Sequence, residues 1–428
     1  MRHKLVVVSV GPGDAGQLTR AAEAALKTTG CLFAAKRHLE SGLRELTEGH
    51  SNVILMEDIE KTLSRIGDNL ERGDVAVAVS GDAGVFSLLP KLRERFPDRE
   101  IETLPGVSAL QSLCAALCET WDDAKIVSLH GRNMPPSKVA GIVATNRRTI
   151  FFCGPNLDPA SLCRILSERG LNFVEIAVGE RLSCPDGRVV KGRPSELCGQ
   201  MFDPLSVVMA TTRQDDLAPY PSPGLEDAEI LREPRKIPMT RMEVRTIILS
   251  RLRLEADSVV WDIGAGTGSV SIACARACPY GEVHAVERLP EAARLVRSNG
   301  ARFRAHNLFV HEGNAAELLE SLPRPNAVFI GGSGGELRQI LERVAQIDIT
   351  DCPVTTPVRV VVSGVTLGTI AVASDVLNGP GFRDFEAAQI SVTRSQPVGN
   401  SVVMAAQNPV TIFSAWTTGP GENVRPAS

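Results

Sequence analysis

Two glycine-rich turns, one in each half of the 428-residue chain, stand where a ligand would meet bare backbone. In the second half Ser258-Val259-Val260-Trp261-Asp262 reads as a buried strand, Ile263-Gly264-Ala265-Gly266-Thr267-Gly268 as a tight turn, and Ser269 onward as a helix. Glycine lets the chain turn sharply and approach a ligand without a Cβ clash, and the helix start beyond offers unpaired N–H groups. The next strand-like run, 282–287, ends at Glu287, 19 residues after Gly268. A carboxylate there can accept two hydrogen bonds from a ribose diol. A dinucleotide fingerprint would need glycine at position 269, which is Ser269. Asp262 ahead of the turn suits a cationic ligand better than a pyrophosphate, and the ammonium and sulfonium of S-adenosylmethionine carry such charge.

More candidates flank this turn. Thr240-Arg241-Met242-Glu243 fits a capping box that opens a helix. Asn314, after the third strand, is placed either to hydrogen-bond an adenine or to hold a turn. Gly331-Gly332-Ser333-Gly334-Gly335 closes the fourth strand and predicts a wide, flat ligand lying on Gly332 and Ser333. In the first half, Gly11-Pro12-Gly13-Asp14-Ala15-Gly16 satisfies G-x-G-x-x-G after a strand, and Lys36 and Arg37 farther on could accept a 2′-phosphate. An NADP-dependent oxidoreductase is therefore a rival reading. Pro12 removes an N–H from the turn that would face pyrophosphate, and Asp14 adds negative charge beside it; both count against that rival.

These residues need a scaffold that brings strand ends together. Strands are predicted at 4–10, 75–79, 125–129, 149–153, 174–178 and 205–210, with helices at 19–28, 84–95, 107–118 and 158–169. In the second half strands are predicted at 258–262, 282–287, 307–310, 326–331, 357–362, 387–394 and 410–414. Strand–helix alternation with near-continuous Val and Ile runs implies α/β architecture, sheets covered on both faces, and ligands at the carboxyl ends of the strands. Segment 213–236, with Pro219, Pro221, Pro223, Pro234 and many charges, predicts an extended linker between domains at 1–212 and 237–428.

Composition narrows the partners. Lys and Arg number 46 against 50 Asp and Glu, a net charge of −4, and the aromatics are 13 Phe, 3 Trp and 2 Tyr. Neither the charge nor the scarcity of stacking platforms suits a nucleic-acid binder. No apolar run reaches the roughly 18 residues of a membrane helix. The run Leu5–Val8 meets Gly11 and Pro12 without a cleavage site, so a first strand is favoured over a signal peptide. Ten cysteines without a Cys-x-x-Cys predict reduced thiols, no metal site and a cytoplasmic location.

The motifs also resemble known families. I-P-M-T-R-M-E-V-R at 237–245, D-I-G-A-G-T-G-S-V-S at 262–271, E-G-N-A at 312–315 and A-V-F-I-G-G-S-G-G-E-L at 327–337 resemble the Rossmann-like decarboxylating methyltransferases of cobalamin biosynthesis. V-T-R-S-Q-P-V-G at 392–399 and N-P-V-T-I-F at 408–413 extend the resemblance to about residues 237–415. It implies a mostly parallel seven-stranded sheet, with Thr240, Gly264, Ala265, Gly266, Thr267, Gly268, Glu287 and Ala315 around S-adenosylmethionine. Trp261 and Glu287 depart from the smaller residue and the Asp usual in that family.

V-G-P-G-D at 10–14, S-G-D-A-G-V-F at 80–86, L-P-G-V-S-A-L-Q at 104–111 and L-H-G-R at 129–132 resemble the tetrapyrrole methylases, over about residues 4–212. That family is bilobal and folds the cofactor between its lobes. The resemblance implies contacts from Gly81, Asp82, Val85, Ser108, Ala109 and Cys153, with Pro12 and Asp14 lining the cleft. Ala83 replaces the proline common there.

Together the two resemblances imply methylation of precorrin-6Y (precorrin-6B) at C5 and C15 with decarboxylation of the ring C acetate, giving precorrin-8X. They imply two S-adenosylmethionine sites per chain and a homo-oligomer, with no metal, nucleic acid or membrane partner. Arg132, Arg241 and Arg245 are the candidates to ring a flat polycarboxylate, with Asp14, Gly332 and Ser333 on the substrate side. No catalytic acid or base is singled out. The alternatives are a methyltransferase of another planar or nucleic-acid substrate and the NADP-dependent oxidoreductase.

Overall fold

The computed structural model describes residues 3–40, 43–47, 52–131, 133–218, 224–233, 237–347 and 357–418. Arg132 lies outside them, as do the linker prolines Pro219, Pro221, Pro223 and Pro234. The chain divides into two compact units. One holds Met1–Met134, Asn146–Ser167 and Asn172–Thr212; the other holds Pro135–Thr145, Glu168–Leu171 and Arg213–Ser428.

The first unit contains two sheets. β1 (Leu5–Ser9), β2 (Cys31–Ala34), β3 (Val53–Leu55), β4 (Val75–Val79) and β5 (Ile101–Leu104) form a parallel sheet in the order β3-β2-β4-β1-β5. Every residue of β1 and β4 is buried, as unbroken apolar runs with helices on both faces require. Helix Arg20–Thr28 starts where the Thr19 hydroxyl accepts the Ala22 N–H at 3.2 Å, and it covers one face with Ala22 and Leu26. Helix Ile59–Leu70, capped by Asp58, covers the other with Leu63, Ile66 and Leu70. The second sheet is mixed: β6 (Ala124–Ser128), β7 (Arg148–Phe152), β8 (Glu175–Glu180), β9 (Arg188–Gly192) and β10 (Ser206–Thr211), ordered β6-β7-β10-β8-β9.

The second unit is built on β11 (Val259–Ile263), β12 (Glu282–Glu287), β13 (Leu308–Glu312), β14 (Ala327–Ile330), β15 (Arg359–Gly364) and β16 (Phe382–Ile390). A separate hairpin of β17 (Thr393–Val398) and β18 (Ser401–Ala406) follows, and then β19 (Val410–Thr417). The seven-stranded sheet runs β13-β12-β11-β14-β15-β19-β16, parallel except where β19 meets β15 and β16. This is the mostly parallel, seven-stranded Rossmann-like sheet expected.

Several expectations change. The helix expected at 84–95 begins only at Leu89, because Asp82–Phe86 turn and Phe86 takes a positive φ of 48°. The strand expected at 387–394 is Phe382–Ile390, followed by the hairpin. The described part of the expected linker is no free tether: Leu225 and Ile230 are buried against Ile272.

Candidate functional site

In the second unit β11, β12 and β14 end side by side, and the loops after them meet. Gly264, at φ +72°, lies so close to Gly332 that a Cβ would come within 2.2 Å of the Gly332 carbonyl oxygen. Gly266, at φ +58°, would bring a Cβ within 2.8 Å of the Pro238 oxygen. Only glycine fits such left-handed, close-packed positions.

The carboxylates are engaged unequally. Glu287 is buried; its Oε2 accepts the Gly266 N–H at 2.8 Å and its Oε1 the Leu289 N–H at 3.0 Å. Asp262 is fully buried, with Oδ2 accepting from the Ser271 hydroxyl and Oδ1 without a partner. Burial, reinforced by the Glu287 charge and opposed by the Ser271 bond, raises its carboxyl from 3.8 to about 7. Asn314 caps the short helix Ala315–Leu318: Oδ1 accepts the Ala316 N–H at 2.8 Å while Nδ2 donates to Glu336 Oε1 at 3.1 Å.

These loops enclose a cavity of about 590 Å³. Of the residues singled out from sequence, Thr240, Arg241, Asp262, Gly264, Ala265, Gly266, Glu287, Asn314, Ala315, Gly332 and Ser333 line it. Two of the turn residues do not. Thr267 is fully buried, its carbonyl accepting from Asn299 Nδ2 at 2.9 Å, and Gly268 packs against Val296. Arg245 is a second correction. It is completely buried, donating to the carbonyls of Thr240 (2.7 Å) and Leu225 and to Asp227 Oδ1 at 3.4 Å, so it cannot reach a substrate in the cavity. The capping box does not form either: Arg241 is the cap residue of helix Met242–Leu252, and Glu243 is gripped by Arg394. Arg288 lines the cavity over Gly334 and was missed, because one arginine after a strand has no pattern of its own.

In the first unit the loops after β1, β4 and β5 converge. Gly11 and Gly81 exchange backbone hydrogen bonds of 2.8 and 3.2 Å. At Gly106 a Cβ would stand 2.6 Å from the Ser9 Cβ. Asp82 ties two loops together, Oδ1 accepting the Gly84 N–H and Oδ2 the Gly106 N–H, each at 2.8 Å. Ser108 is buried at the start of helix Ala109–Leu117, its N–H donating to Gln111 Oε1 at 2.7 Å. Val85 and Ala109 pack on the apolar cluster of the second sheet. Pro12 is half-buried, whereas Asp14 is exposed, its Oδ1 accepting the Gly16 N–H at 2.8 Å. Cys153, at the end of β7, is buried, and burial pushes its thiol well up. Among the described residues no cluster of His, Cys, Asp or Glu is arranged to hold a metal, and no helix is long and apolar enough to cross a membrane.

Comparison with known proteins follows the same division. The tetrapyrrole (corrin/porphyrin) methylases match residues 4–198, and the precorrin methyltransferase domain matches 235–417. A Pyrobaculum calidifontis protein named probable cobalt-precorrin-6B C(15)-methyltransferase (decarboxylating) is 37% identical over 200 residues, 46% of this chain and 98% of that one. The chain belongs to the decarboxylating precorrin methyltransferases. Within that family, the precorrin-6Y C(5,15)-methyltransferase (decarboxylating) of a Sinorhizobium species is 28% identical over 423 residues, 97% of this chain and 96% of the relative. The crystal structure of precorrin-6y C5,15-methyltransferase from Geobacter metallireducens covers 45% of this chain and 96% of its own, at 37% identity and a TM-score of 0.41. For a precorrin methyltransferase the second-unit site is chemically coherent: the unpartnered Asp262 oxygen and the glycine cradle fit a cationic ligand that lies on backbone.

Proposed function

We propose that this chain methylates precorrin-6Y (precorrin-6B) at C5 and C15, removes CO2 from the ring C acetate and yields precorrin-8X in cobalamin biosynthesis. The observation that carries the proposal is a glycine-lined strand-end site in each unit, the second with a buried carboxylate, Asp262, on its cavity lining, one of whose oxygens has no partner. S-adenosylmethionine, when bound, supplies an electrophilic methyl group.

The chain's own residues bind, orient and exclude water. In the second unit Glu287 meets the ribose hydroxyls, Asp262 faces the ammonium, and the 264–266 turn and Ala315 lie along the ligand. Arg241 and Arg288 hold side-chain carboxylates of the macrocycle, whose flat face rests on Gly332 and Ser333. A carbon nucleophile of this kind brings its own driving force, so alignment in a water-poor cavity is the main contribution of the protein. In the first unit Pro12, Gly81, Val85, Ser108 and Ala109 form the corresponding cradle, with Asp82 holding its loops in place. The free thiols and the absence of a long apolar helix among the described residues fit a cytoplasmic enzyme.

The enzyme assembles with copies of itself. On the β17–β18 hairpin Val402 and Met404, 66% and 68% exposed, share one face, and Val398 and Val403, 55% and 43% exposed, share the other, so the hairpin offers apolar side chains suited to another hairpin.

Incubating the full chain with precorrin-6Y and S-adenosylmethionine tests the reading. Mass analysis should show two methyls gained and one CO2 lost, and calorimetry should count two S-adenosylmethionine sites per chain. An unchanged precorrin mass overturns the activity. A single site, abolished by Gly266→Arg, overturns the two-site arrangement.

A further inference from the structure

One polar cluster in the first unit has no part in the site described above. Ser80 follows β4 and directly precedes Gly81, so it stands at the carboxyl end of the parallel sheet, and it is exposed. Its Oγ lies 2.6 Å from His38 Nε2 and accepts from Arg37 Nη2 at 2.7 Å. His38, on the short helix after β2, is only 8% exposed, and its Nδ1 is buried without a partner.

Donor inventory orders this cluster. A guanidinium only donates, so Arg37 occupies one lone pair of Ser80, and with the imidazole protonated on Nδ1 the hydroxyl proton goes to His38 Nε2. Burial, with the Arg37 charge in second place, lowers the imidazole to about 4, which keeps it neutral and able to accept. A buried imidazole whose Nδ1 is unmatched and whose Nε2 addresses an exposed hydroxyl serves no evident packing need.

We propose that Ser80 and His38 form a proton-accepting relay for methyl transfer in the first unit. The proposal rests on the function proposed above. Replacing a substrate hydrogen by methyl forms one C–C bond, breaks one S–C bond whose electron pair stays on sulfur, and frees one proton. Ser80 Oγ takes that proton from the macrocycle as its own passes to His38 Nε2. The imidazolium so formed, disfavoured by burial and by Arg37, returns the proton through Ser80 to solvent once product leaves. In this relay the exposed Ser80 is the residue that meets substrate, and His38 acts through it.

Two measurements test the relay in the full chain. Nitrogen-15 NMR of histidine-labelled protein at pH 7 should show His38 neutral, protonated on Nδ1 and accepting at Nε2, with the Nε2 signal shifted by Ser80→Ala. An Nε2–H tautomer overturns the proposal, because that nitrogen could not then take a proton. Kinetically, Ser80→Ala and His38→Gln should each lower kcat for C5 methylation by about 10²–10⁴-fold. KM and calorimetric S-adenosylmethionine affinity should stay unchanged, and the double variant should be no worse than either single one, as for residues acting as a unit. Ser80 is exposed, so its alanine variant keeps the test available if His38→Gln fails to fold. Wild-type C5 methylation with unchanged kcat in Ser80→Ala overturns the relay alone; no methylation by wild type overturns the functional reading and the relay with it.

Discussion

Glu287 Oε2 accepts the Gly266 N–H at 2.8 Å, so the acid at the end of β12 braces the glycine turn after β11. The same side chain accepts the Leu289 N–H through Oε1. Glu287→Ala leaves both donors unmatched and should cost about 1–3 kcal/mol of stability. It should also weaken S-adenosylmethionine binding in the second unit by more than about tenfold, since a charge-assisted acceptor is removed. Glu287→Gln keeps one acceptor oxygen and should lose less of both. Chemical denaturation and calorimetry on the two variants check the difference.

The Gly264–Gly332 approach gives a sharper steric prediction. A Cβ at position 264 would lie 2.2 Å from a backbone oxygen, on a residue at φ +72°, so no flexible side chain can yield. Gly264→Ala should destabilise by at least about 1–3 kcal/mol and abolish ligand binding in the second unit. Gly368, on helix Leu367–Leu377, has nothing within 4 Å of its Cβ position and no positive φ. Gly368→Ala should instead stabilise by about 0.4–1 kcal/mol. Opposite signs of the two melting shifts are the expected result.

The sequence made the alternation of strands and helices and the glycine turns legible, because long apolar runs and φ-positive glycines have a local cause. Short strands were not legible. Cys31–Ala34 is four residues of continuous burial, which shows no period, and Ile101–Leu104 is only partly buried. Partners were less legible still. The sequence marks Asp82 and Glu287 as ligand contacts, but the backbone N–H groups that their oxygens also bond carry no sequence signature. Arg241 and Arg245 are one helical turn apart and looked equivalent, but only Arg245 is sealed in, by Leu225 and Asp227 from a segment whose prolines disguised it as linker.

That contrast predicts different phenotypes. Removing Arg245, fully buried beside Asp227, should cost about 3–5 kcal/mol, the range for breaking a buried ion pair. Arg241 has a side chain 39% exposed and sits 3.7 Å from Asp227, so its loss should hardly change melting. Arg245→Ala should lower the melting temperature, whereas Arg241→Ala should raise KM for the macrocycle with kcat nearly kept. Thermal scans beside steady-state kinetics separate the two.

The hairpin makes an assembly prediction. Met404 and Val402 are 68% and 66% exposed and lie on the same strand, β18. A charge there costs nothing in a solvated hairpin but is expensive once desolvated against a second copy. Met404→Glu should convert the oligomer to monomers on sizing with light scattering while leaving the circular dichroism spectrum unchanged. Wild-type protein that runs as a monomer at assay concentration would refute the assembly.

Asp262 sets a pH dependence with two opposite signs. Its carboxyl is raised by burial from 3.8 to about 7 in the folded chain. Between those values the native state holds a proton that the unfolded state has released, so the group's contribution to stability is complete below about pH 4 and gone above about pH 7. A cationic ligand needs the opposite form. Its affinity should rise with pH as Asp262 ionises, by about tenfold between pH 6 and pH 8 for a group titrating near 7. Asp262→Asn removes both effects: the ligand-free protein should be more stable than wild type at pH 8, and S-adenosylmethionine binding in the second unit should become weak and independent of pH. Calorimetric titrations across that range, paired with melting curves of ligand-free protein, decide it, and affinity that falls as pH rises would overturn the role of Asp262 as the ammonium's partner.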